Sequence, residues 1–182
     1  HYSKAMDMIE IGVGYGPKGQ AGGTQGGASG AGAGASSTSF FVKVDPMDGL
    51  EVGFGTGETA AATAGDSSQT DDHQTIYATY VYGPVTFGYQ QSEIETYTAA
   101  QSDDESVRWS VLYAVNDELS ISYGEHENDD DKTTVDEKAE GWSASYTVGS
   151  MTFKAHNNKG TNLGNAASNE SEHTEIGVTF AF

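Results

Sequence analysis

The strongest constraint on the fold of this 182-residue chain is a period of two in its apolar residues. Ile9, Ile11 and Val13 alternate with Glu10 and Gly12, and helical spacing of 3.6 residues is hard to find. Successive side chains of a β-strand point to opposite faces, so each alternating block predicts one strand. About ten such blocks occur, at 9–15, 40–44, 50–54, 76–82, 85–89, 107–115, 119–123, 142–148, 151–155 and 176–182. The pattern predicts an all-β, antiparallel fold of about ten strands.

The connections between the blocks alternate in length. Turn-forming residues make short connections at 45–49, 83–84, 116–117 and 149–150, whereas long polar loops run approximately over 16–38, 57–73, 91–104, 125–139 and 157–172. Tight turns at one end and long loops at the other are the layout of a bacterial outer-membrane β-barrel. We therefore expect residues 1–182 to form a single transmembrane β-barrel domain, or the C-terminal part of one. With an even number of strands, both termini would lie at the short-turn end.

Charge is segregated between the two faces of the blocks. Every charged residue inside a block lies among the Gly, Ser, Thr and Ala residues of the second face, namely Glu10, Lys43, Glu51, Arg108, Lys154 and Glu175. A Lys or Arg on the lipid side at the bilayer midplane costs roughly 2–4 kcal/mol, which would enforce this segregation. Aromatic residues near the block ends, such as Tyr15 and Trp142, fit the girdles at the two membrane surfaces. A soluble secreted β-sandwich that binds a surface glycan is the alternative, since its half-buried strands show a similar alternation.

Composition excludes several classes. Hydrophobic residues make up 36% of the chain, below the usual share of roughly 45–50% for a soluble domain, and the absence of cysteine excludes disulfides. The formal net charge of −19 makes nucleic acid an unexpected partner. No run approaches the roughly 18 apolar residues of a membrane-spanning helix. The chain opens at His1 with no leader-like segment, so we expect a mature form or an internal piece.

The segment 175–182, which ends in Phe182, resembles the closing strand of bacterial outer-membrane proteins. That resemblance implies that Phe182 belongs to the signal read by the barrel-assembly machinery. The acidic Gly- and Asp-rich loops and the segments 81–89 and 142–149 resemble the general porins of alphaproteobacteria. Membership of that family implies a homotrimer in the outer membrane, in which each subunit is a sixteen-stranded barrel in contact with lipid and lipopolysaccharide.

A count of about ten strands departs from sixteen. We favour the C-terminal ten strands of a larger porin. The alternative is a closed ten-stranded barrel acting as a surface protease or adhesin, in which the last strand would pair with the strand at 9–15.

A porin needs no catalytic group, and we expect no enzyme activity. The expected function is passive diffusion of small hydrophilic solutes and ions through a water-filled channel, with a preference for cations because of the negative charge. The candidate pore-lining residues are the inward charged and titratable ones: Glu10, Lys43, Glu51, Arg108, Lys154, His156 and Glu175. Facing rows of opposite charge would set a transverse field. Alternatively, each residue only solvates the wall.

No cofactor is expected. The acidic runs at 71–72, 103–105 and 129–131 offer oxygen ligands for loop-bound Ca²⁺ or Mg²⁺, or for divalent bridges to lipopolysaccharide, but their spacing matches no EF-hand loop. Solvated loops are the favoured interpretation. His73, His126 and His173 each follow an acidic residue without a spacing that singles out a catalytic set. The Gly-rich stretch 16–38 lacks the Gly-Lys-Ser/Thr ending of a phosphate-binding loop, which favours a surface loop.

Overall fold

The computed structural model describes residues 2–17, 36–60, 70–97 and 101–181, which form one antiparallel sheet. Each strand pairs with its neighbours in sequence order. The eleven strands are β1 (Tyr2–Met6), β2 (Ile9–Gly16), β3 (Ser37–Met47), β4 (Leu50–Ala60), β5 (Thr70–Tyr82), β6 (Val85–Glu95), β7 (Asp104–Ala114), β8 (Leu119–Asp130), β9 (Glu137–Val148), β10 (Met151–Thr161) and β11 (Ser171–Phe180). The described residues contain no helix long and apolar enough to cross a membrane. The predicted all-β, antiparallel fold is confirmed.

The sequence count missed β1. This strand pairs with β2 through a tight turn at Asp7, whose φ is +54°. In β1, the Lys4 side chain lies opposite Ile11 on the apolar face. This charged residue interrupts the apolar alternation by which the other strands were predicted. The prediction of about ten strands is confirmed, since it identified ten of the eleven. The expectation that the first strand starts at the short-turn end assumed an even number of strands and was wrong. The described chain instead begins at the long-loop end.

The alternation of short and long connections is confirmed, although the strands reach further into the long loops than predicted. The residues between the strands are 17–36, 61–69, 96–103, 131–136 and 162–170. These connections are shorter than predicted because cross-strand pairing continues beyond the apolar blocks. At the other end, Gly49, Gly83 and Gly149 adopt positive φ in the short turns. The Asn116 side chain accepts hydrogen bonds from the backbone N–H groups of Glu118 and Leu119, which closes the β7–β8 turn.

The described residues contain no buried apolar core. Large apolar side chains instead stand exposed on one face, with Ile176 at 78% and Tyr82 at 73% exposure. A soluble protein rarely exposes so continuous an apolar surface. In the loop half of β8, from Gly124 to Asp130, side chains on the other face are less exposed than their neighbours, as expected if the sheet curls toward the small-residue face. The apolar face is therefore the convex surface that contacts lipid.

The apolar band crosses the sheet diagonally. We call the long-loop end of the sheet its upper end. The band reaches up to Tyr15 in β2, to Phe54 in β4, to Tyr123 in β8 and only to Ile176 in β11. The pairing register places these residues in successively lower rows, so the upper edge drops by about five rows of two residues over the nine steps from β2 to β11. With a rise of about 3.3 Å per residue and about 4.8 Å between strands, a level band requires a tilt of about 37°. Strands of outer-membrane barrels tilt by about 35–45°.

One row of cross-strand partners shows directly how the apolar band runs obliquely to the pairing register. It runs through Ile9, Val44, Val52, Ala78, Tyr89, Trp109, Glu125, Glu140, Lys159 and Glu172. The row is apolar from β2 to β7 and charged from β8 to β11, and Trp109 and Glu125 mark the crossing. The Trp109 Nε1 donates a hydrogen bond of 3.2 Å to Glu125 Oε2. Trp109 therefore has its ring in the apolar band and its N–H at the polar boundary, as expected for a girdle residue.

No charge interrupts the apolar face within the predicted blocks, but charged residues share that face in two places outside the blocks. Glu125, Glu140, Lys159 and Glu172 share that face, but they lie above the band, where the strand has left the hydrocarbon. Lys4 lies level with the band on β1. A long lysine stem on an edge strand can carry its ammonium toward the membrane surface.

Ile121 lies on the lipid face of β8 between Leu119 and Tyr123, in the middle of the band. We expect Ile121→Lys to lower the free energy of unfolding by roughly 2–4 kcal/mol, because the ammonium would enter hydrocarbon. Urea titration of the protein in phospholipid vesicles measures this. The matched control Ser122→Lys, one residue along on the opposite face, should change the stability by only about 0.5 kcal/mol. Equal losses in both variants would contradict the assignment of the faces.

Candidate functional site

The small-residue face carries all seven charged or titratable residues singled out from the sequence. The pairing register places Glu10, Lys43 and Arg108 in one row, together with Gly53, Tyr77 and Gln90. Glu51 lies in the next row, and Lys154, His156 and Glu175 lie in rows closer to the short-turn end of the sheet. That this face lines a water-filled pore stays a prediction.

Shared rows do not mean shared depth. Because the apolar band falls from β2 to β11, Lys43 on β3 lies level with its lower half, whereas Arg108 on β7 lies near its upper edge. His156 on β10 is adjacent to Ala155, the uppermost apolar residue of that strand. The charged residues are thus distributed over the whole height of the wall.

The first group of charges centres on Lys43. Its Nζ lies 3.6 Å from Glu10 Oε2 and 3.4 Å from Glu51 Oε2, with all three side chains about one-third exposed. The Tyr77 hydroxyl donates a hydrogen bond of 2.9 Å to the Oε1 of Glu51. Two carboxylates therefore flank one ammonium on strands β2 to β4. The charges alternate within this patch, and facing rows of opposite charge stay a prediction.

Glycines make room for inward aromatic rings in this group. The Tyr77 ring lies over Gly53, its cross-strand partner, where a Cβ would be 2.1 Å from Tyr77 Cε1. The Phe41 ring covers Gly12 in the same way, with a Cβ position 2.0 Å from Phe41 Cε1. The rings lie flat along the wall, which keeps the Tyr77 hydroxyl within reach of Glu51.

Between the charged groups, the wall is made of hydroxyl and amide side chains. Thr75 donates to Ser92, and Gln90 also donates to Ser92, both at 3.0 Å. Arg108 donates to the Ser106 hydroxyl at 3.2 Å, and the same hydroxyl lies 2.8 Å from His126 Nε2. Arg108 forms no ion pair with the other candidate residues; four strand-to-strand steps separate it from Lys43.

A second group lies on β10 and β11. His156 is directly opposite Glu175, with 3.7 Å between His156 Nε2 and Glu175 Oε2. His173 lies two residues before Glu175 on the same face, and its Nε2 is 3.6 Å from the same oxygen. Lys154 shares the face, two residues before His156. The sequence identified Lys154, His156 and Glu175 as inward residues but left His173 beside a loop, because the predicted last strand began too late.

The acidic runs lie where the strands end and the long connections begin. Asp71 accepts a hydrogen bond from the Tyr97 backbone N–H, Asp103 accepts one from that of Thr96, and Asp131 accepts one from that of Asp103. These carboxylates link consecutive connections. Loop-bound Ca²⁺ or Mg²⁺ stays a prediction.

One ion pair belongs to the β8–β9 connection itself. Hydrogen bonds from Lys132 and from the Asp103 backbone hold the pKa of Asp131 below its ordinary value, and the Asp131 carboxylate raises the pKa of Lys132. Both side chains are more than 40% exposed. The pair is therefore screened by water and orients the connection more than it stabilises the fold.

A tilted, core-free antiparallel sheet with an apolar convex face and small polar residues on the other face defines the wall of a transmembrane β-barrel. The family model for Gram-negative porins matches residues 1–147. The chain belongs to the Gram-negative porin family and is located in the bacterial outer membrane. The narrower resemblance to alphaproteobacterial porins stays a prediction. No curated protein sequence matches the chain significantly.

Solved structures agree on the fold. A refined porin structure matches 100% of this chain with a TM-score of 0.74 at 14% identity. An anion-selective porin from Comamonas acidovorans matches 98% with a TM-score of 0.68 at 12% identity. OmpT, an outer-membrane protein of Vibrio cholerae, matches 98% with a TM-score of 0.63 at 15% identity. The chain spans only 60%, 57% and 62% of those three chains, respectively.

Phe182, the predicted assembly signal, lies outside the described residues. The proposed pairing of the last strand with the strand at 9–15 was wrong, since β2 is already paired on both sides by β1 and β3. In the described residues, β1 and β11 each have one unpaired edge.

The packing of Tyr77 over Gly53 predicts the effect of a single methyl group. We expect Gly53→Ala to displace the ring and lose the hydrogen bond to Glu51, which lowers the free energy of unfolding by about 0.5–1.5 kcal/mol. Gly55→Ala is the matched control, because it lies on the same strand and face and its Cβ would meet no atom closer than 3.8 Å. Urea unfolding in detergent compares the two variants. An unchanged Gly53→Ala protein would show that the ring is not held in this position.

Proposed function

We propose that the eleven strands form most of the wall of an outer-membrane channel through which small hydrophilic solutes and ions diffuse passively. The observation that carries this proposal is the combination of a lipid-facing apolar band and an opposite face of Gly, Ser, Thr and Gln side chains. Small polar residues on a concave wall leave space for water, as in the polar interior of a porin barrel.

A channel also needs a closed wall. Unpaired backbone groups at a strand edge cost several kcal/mol each in hydrocarbon, so the outer edges of β1 and β11 require partners. We propose that additional strands cover both edges and complete a larger porin barrel. The chain's coverage of 57–62% of the three matched porin-fold chains supports this arrangement. Assembly of three such barrels into a homotrimer is part of the proposal, because it is what the resemblance to general porins implies.

The wall charges favour cations. Among the described residues in regular register, seven carboxylates lie on the small-residue face and only three permanent cations do. The carboxylates are Glu10, Glu51, Asp71, Asp104, Asp130, Glu137 and Glu175, and the cations are Lys43, Arg108 and Lys154. Such an excess raises the local cation concentration in a narrow aqueous space. The likeness to an anion-selective porin does not bear on this, since at 12% identity it concerns the fold alone.

The channel itself is tested by conductance. We expect the protein purified from outer membranes to produce ohmic steps in planar lipid bilayers, because a wall of small polar side chains leaves an aqueous path. A heat-denatured sample is the control. Folded protein that inserts into the bilayer without conducting would overturn the proposal.

Cation preference is tested at Lys43, the ammonium between two glutamates. We expect Lys43→Gln to shift the zero-current potential in a KCl gradient toward the K⁺ equilibrium potential, since two wall carboxylates lose their counter-charge. Lys132→Gln is the matched control for the overall charge, because Lys132 lies in the β8–β9 connection and pairs with Asp131. A wild-type preference for Cl⁻, or equal shifts in both variants, would contradict a role for the wall charge.

A further inference from the structure

The group of His156, His173 and Glu175 has the donor atoms of a transition-metal site. Among the described residues, it is the only group of three or more His, Asp or Glu side chains whose candidate ligand atoms all lie within 4.8 Å of one another. The three residues come from two adjacent strands: Glu175 faces His156 across the β10–β11 pair, and His173 precedes Glu175 by two positions. Strand pairing therefore holds their Cα atoms in place without any loop.

The distances fit coordination better than hydrogen bonding. The Glu175 Oε2 lies 3.7 Å from His156 Nε2 and 3.6 Å from His173 Nε2. A hydrogen bond from a ring N–H to a carboxylate spans about 2.7–3.2 Å, so neither imidazole is hydrogen-bonded to Glu175. In a tetrahedral zinc site with bonds of about 2.0–2.1 Å, neighbouring ligand atoms lie about 3.3–3.5 Å apart. Two of the three ligand-to-ligand distances are thus already close to the coordinated value.

The third distance requires only a side-chain movement. The two imidazole rings have centroids 6.1 Å apart and a tilt of 45°, and His173 is two-thirds exposed. Small rotations of these exposed rings bring the nitrogens to the spacing of a tetrahedron without moving the sheet.

The surroundings leave room for an ion and its remaining ligands. A side chain at Gly177, the next inward residue after Glu175, would meet no atom within 4 Å. Asn158 faces His173 and Ser143 faces His156, so small polar groups border the cluster on β9 and β10. Within the described sheet the cluster is thus open on its water side, as in metal sites that keep one or two coordination positions for water or a solute.

We propose that His156, His173 and Glu175 bind a divalent transition-metal ion such as Zn²⁺, Cu²⁺ or Ni²⁺ on the inner wall of the barrel. Two imidazoles and one carboxylate favour these ions over Ca²⁺ and Mg²⁺, which prefer oxygen ligands alone. The site differs in chemistry from the acidic runs of the long connections. The proposed metal site rests on the proposed function in one respect: the small-residue face must be open to water.

A bound ion would act on permeation. The site lies beside Ala155 and Ile176, the uppermost apolar residues of their strands, and therefore near the long-loop mouth of the channel. A dipositive ion there adds positive charge to a wall segment that carries Glu175 and Lys154, so we expect it to reduce cation flow.

Metal binding is tested directly with Cu²⁺, using the detergent-solubilised protein after EDTA treatment. We expect one Cu²⁺ per chain, with nitrogen hyperfine structure in its electron paramagnetic resonance spectrum, and displacement by Zn²⁺. His173→Ala should weaken Cu²⁺ binding by at least about tenfold, since even loss of an outer-shell partner costs 10–100-fold. Glu175→Gln should also weaken it.

His126→Ala is the matched control, because His126 lies on the same face of the sheet but is hydrogen-bonded to Ser106 on β7 and does not belong to the cluster. It should bind Cu²⁺ like the wild type. Wild-type affinity in a folded His156→Ala/His173→Ala variant would overturn the proposal, as would absence of nitrogen-ligated Cu²⁺ from the wild type. Folding of each variant is checked by its heat-dependent mobility on gels.

The outcome is separable from that of the channel proposal. Copper binding is measured in detergent and does not depend on conductance, so a non-conducting protein that binds Cu²⁺ refutes only the channel. Conversely, a conducting protein without a metal site refutes only this inference. Where both hold, micromolar Zn²⁺ should reduce the wild-type conductance and leave that of His173→Ala unchanged.

Discussion

The rest of the structure depends on contact between one face of a single-layer sheet and lipid. No second layer covers the apolar side chains of the described residues, so only hydrocarbon can remove them from water. Lipid also imposes the geometry: backbone groups must pair within the sheet, and the apolar band must stay level while the strands tilt. Because the strands tilt, the apolar residues shift position from strand to strand, and the band runs diagonally from Tyr15 on β2 to Ile176 on β11.

The tilt also organises the functional face. Residues in one hydrogen-bonded row, such as Lys43 and Arg108, lie at different depths because the row crosses the membrane obliquely. The Lys43 group therefore lies toward the short-turn end and the His156 group toward the long-loop mouth. The two groups also differ in chemistry: ammonium and carboxylates in one, imidazoles and a carboxylate in the other. A solute that diffuses through the proposed channel would meet the two groups in succession.

Much of the fold was predictable because an apolar face in contact with lipid enforces strict alternation. That rule identified ten of the eleven strands, the alternation of short and long connections and seven of the charged or titratable residues on the small-residue face. It failed for β1, where Lys4 breaks the alternation on an edge strand. It also failed at the strand ends near the long connections, where Glu125 and Glu140 pair in register outside the hydrocarbon and no apolar residue marks the strand.

The sequence alone determined which face the residues of the ten predicted blocks occupy, since a period of two leaves no choice once the apolar side meets lipid. Only the tertiary structure decided which inward residues meet, because that depends on the register between strands. Register brings Glu10 and Glu51 to Lys43, places Gly53 under Tyr77, and sets Glu175 opposite His156 with His173 beside it. Their positions along the sequence contain no record of these neighbours, which come from hydrogen bonds between strands.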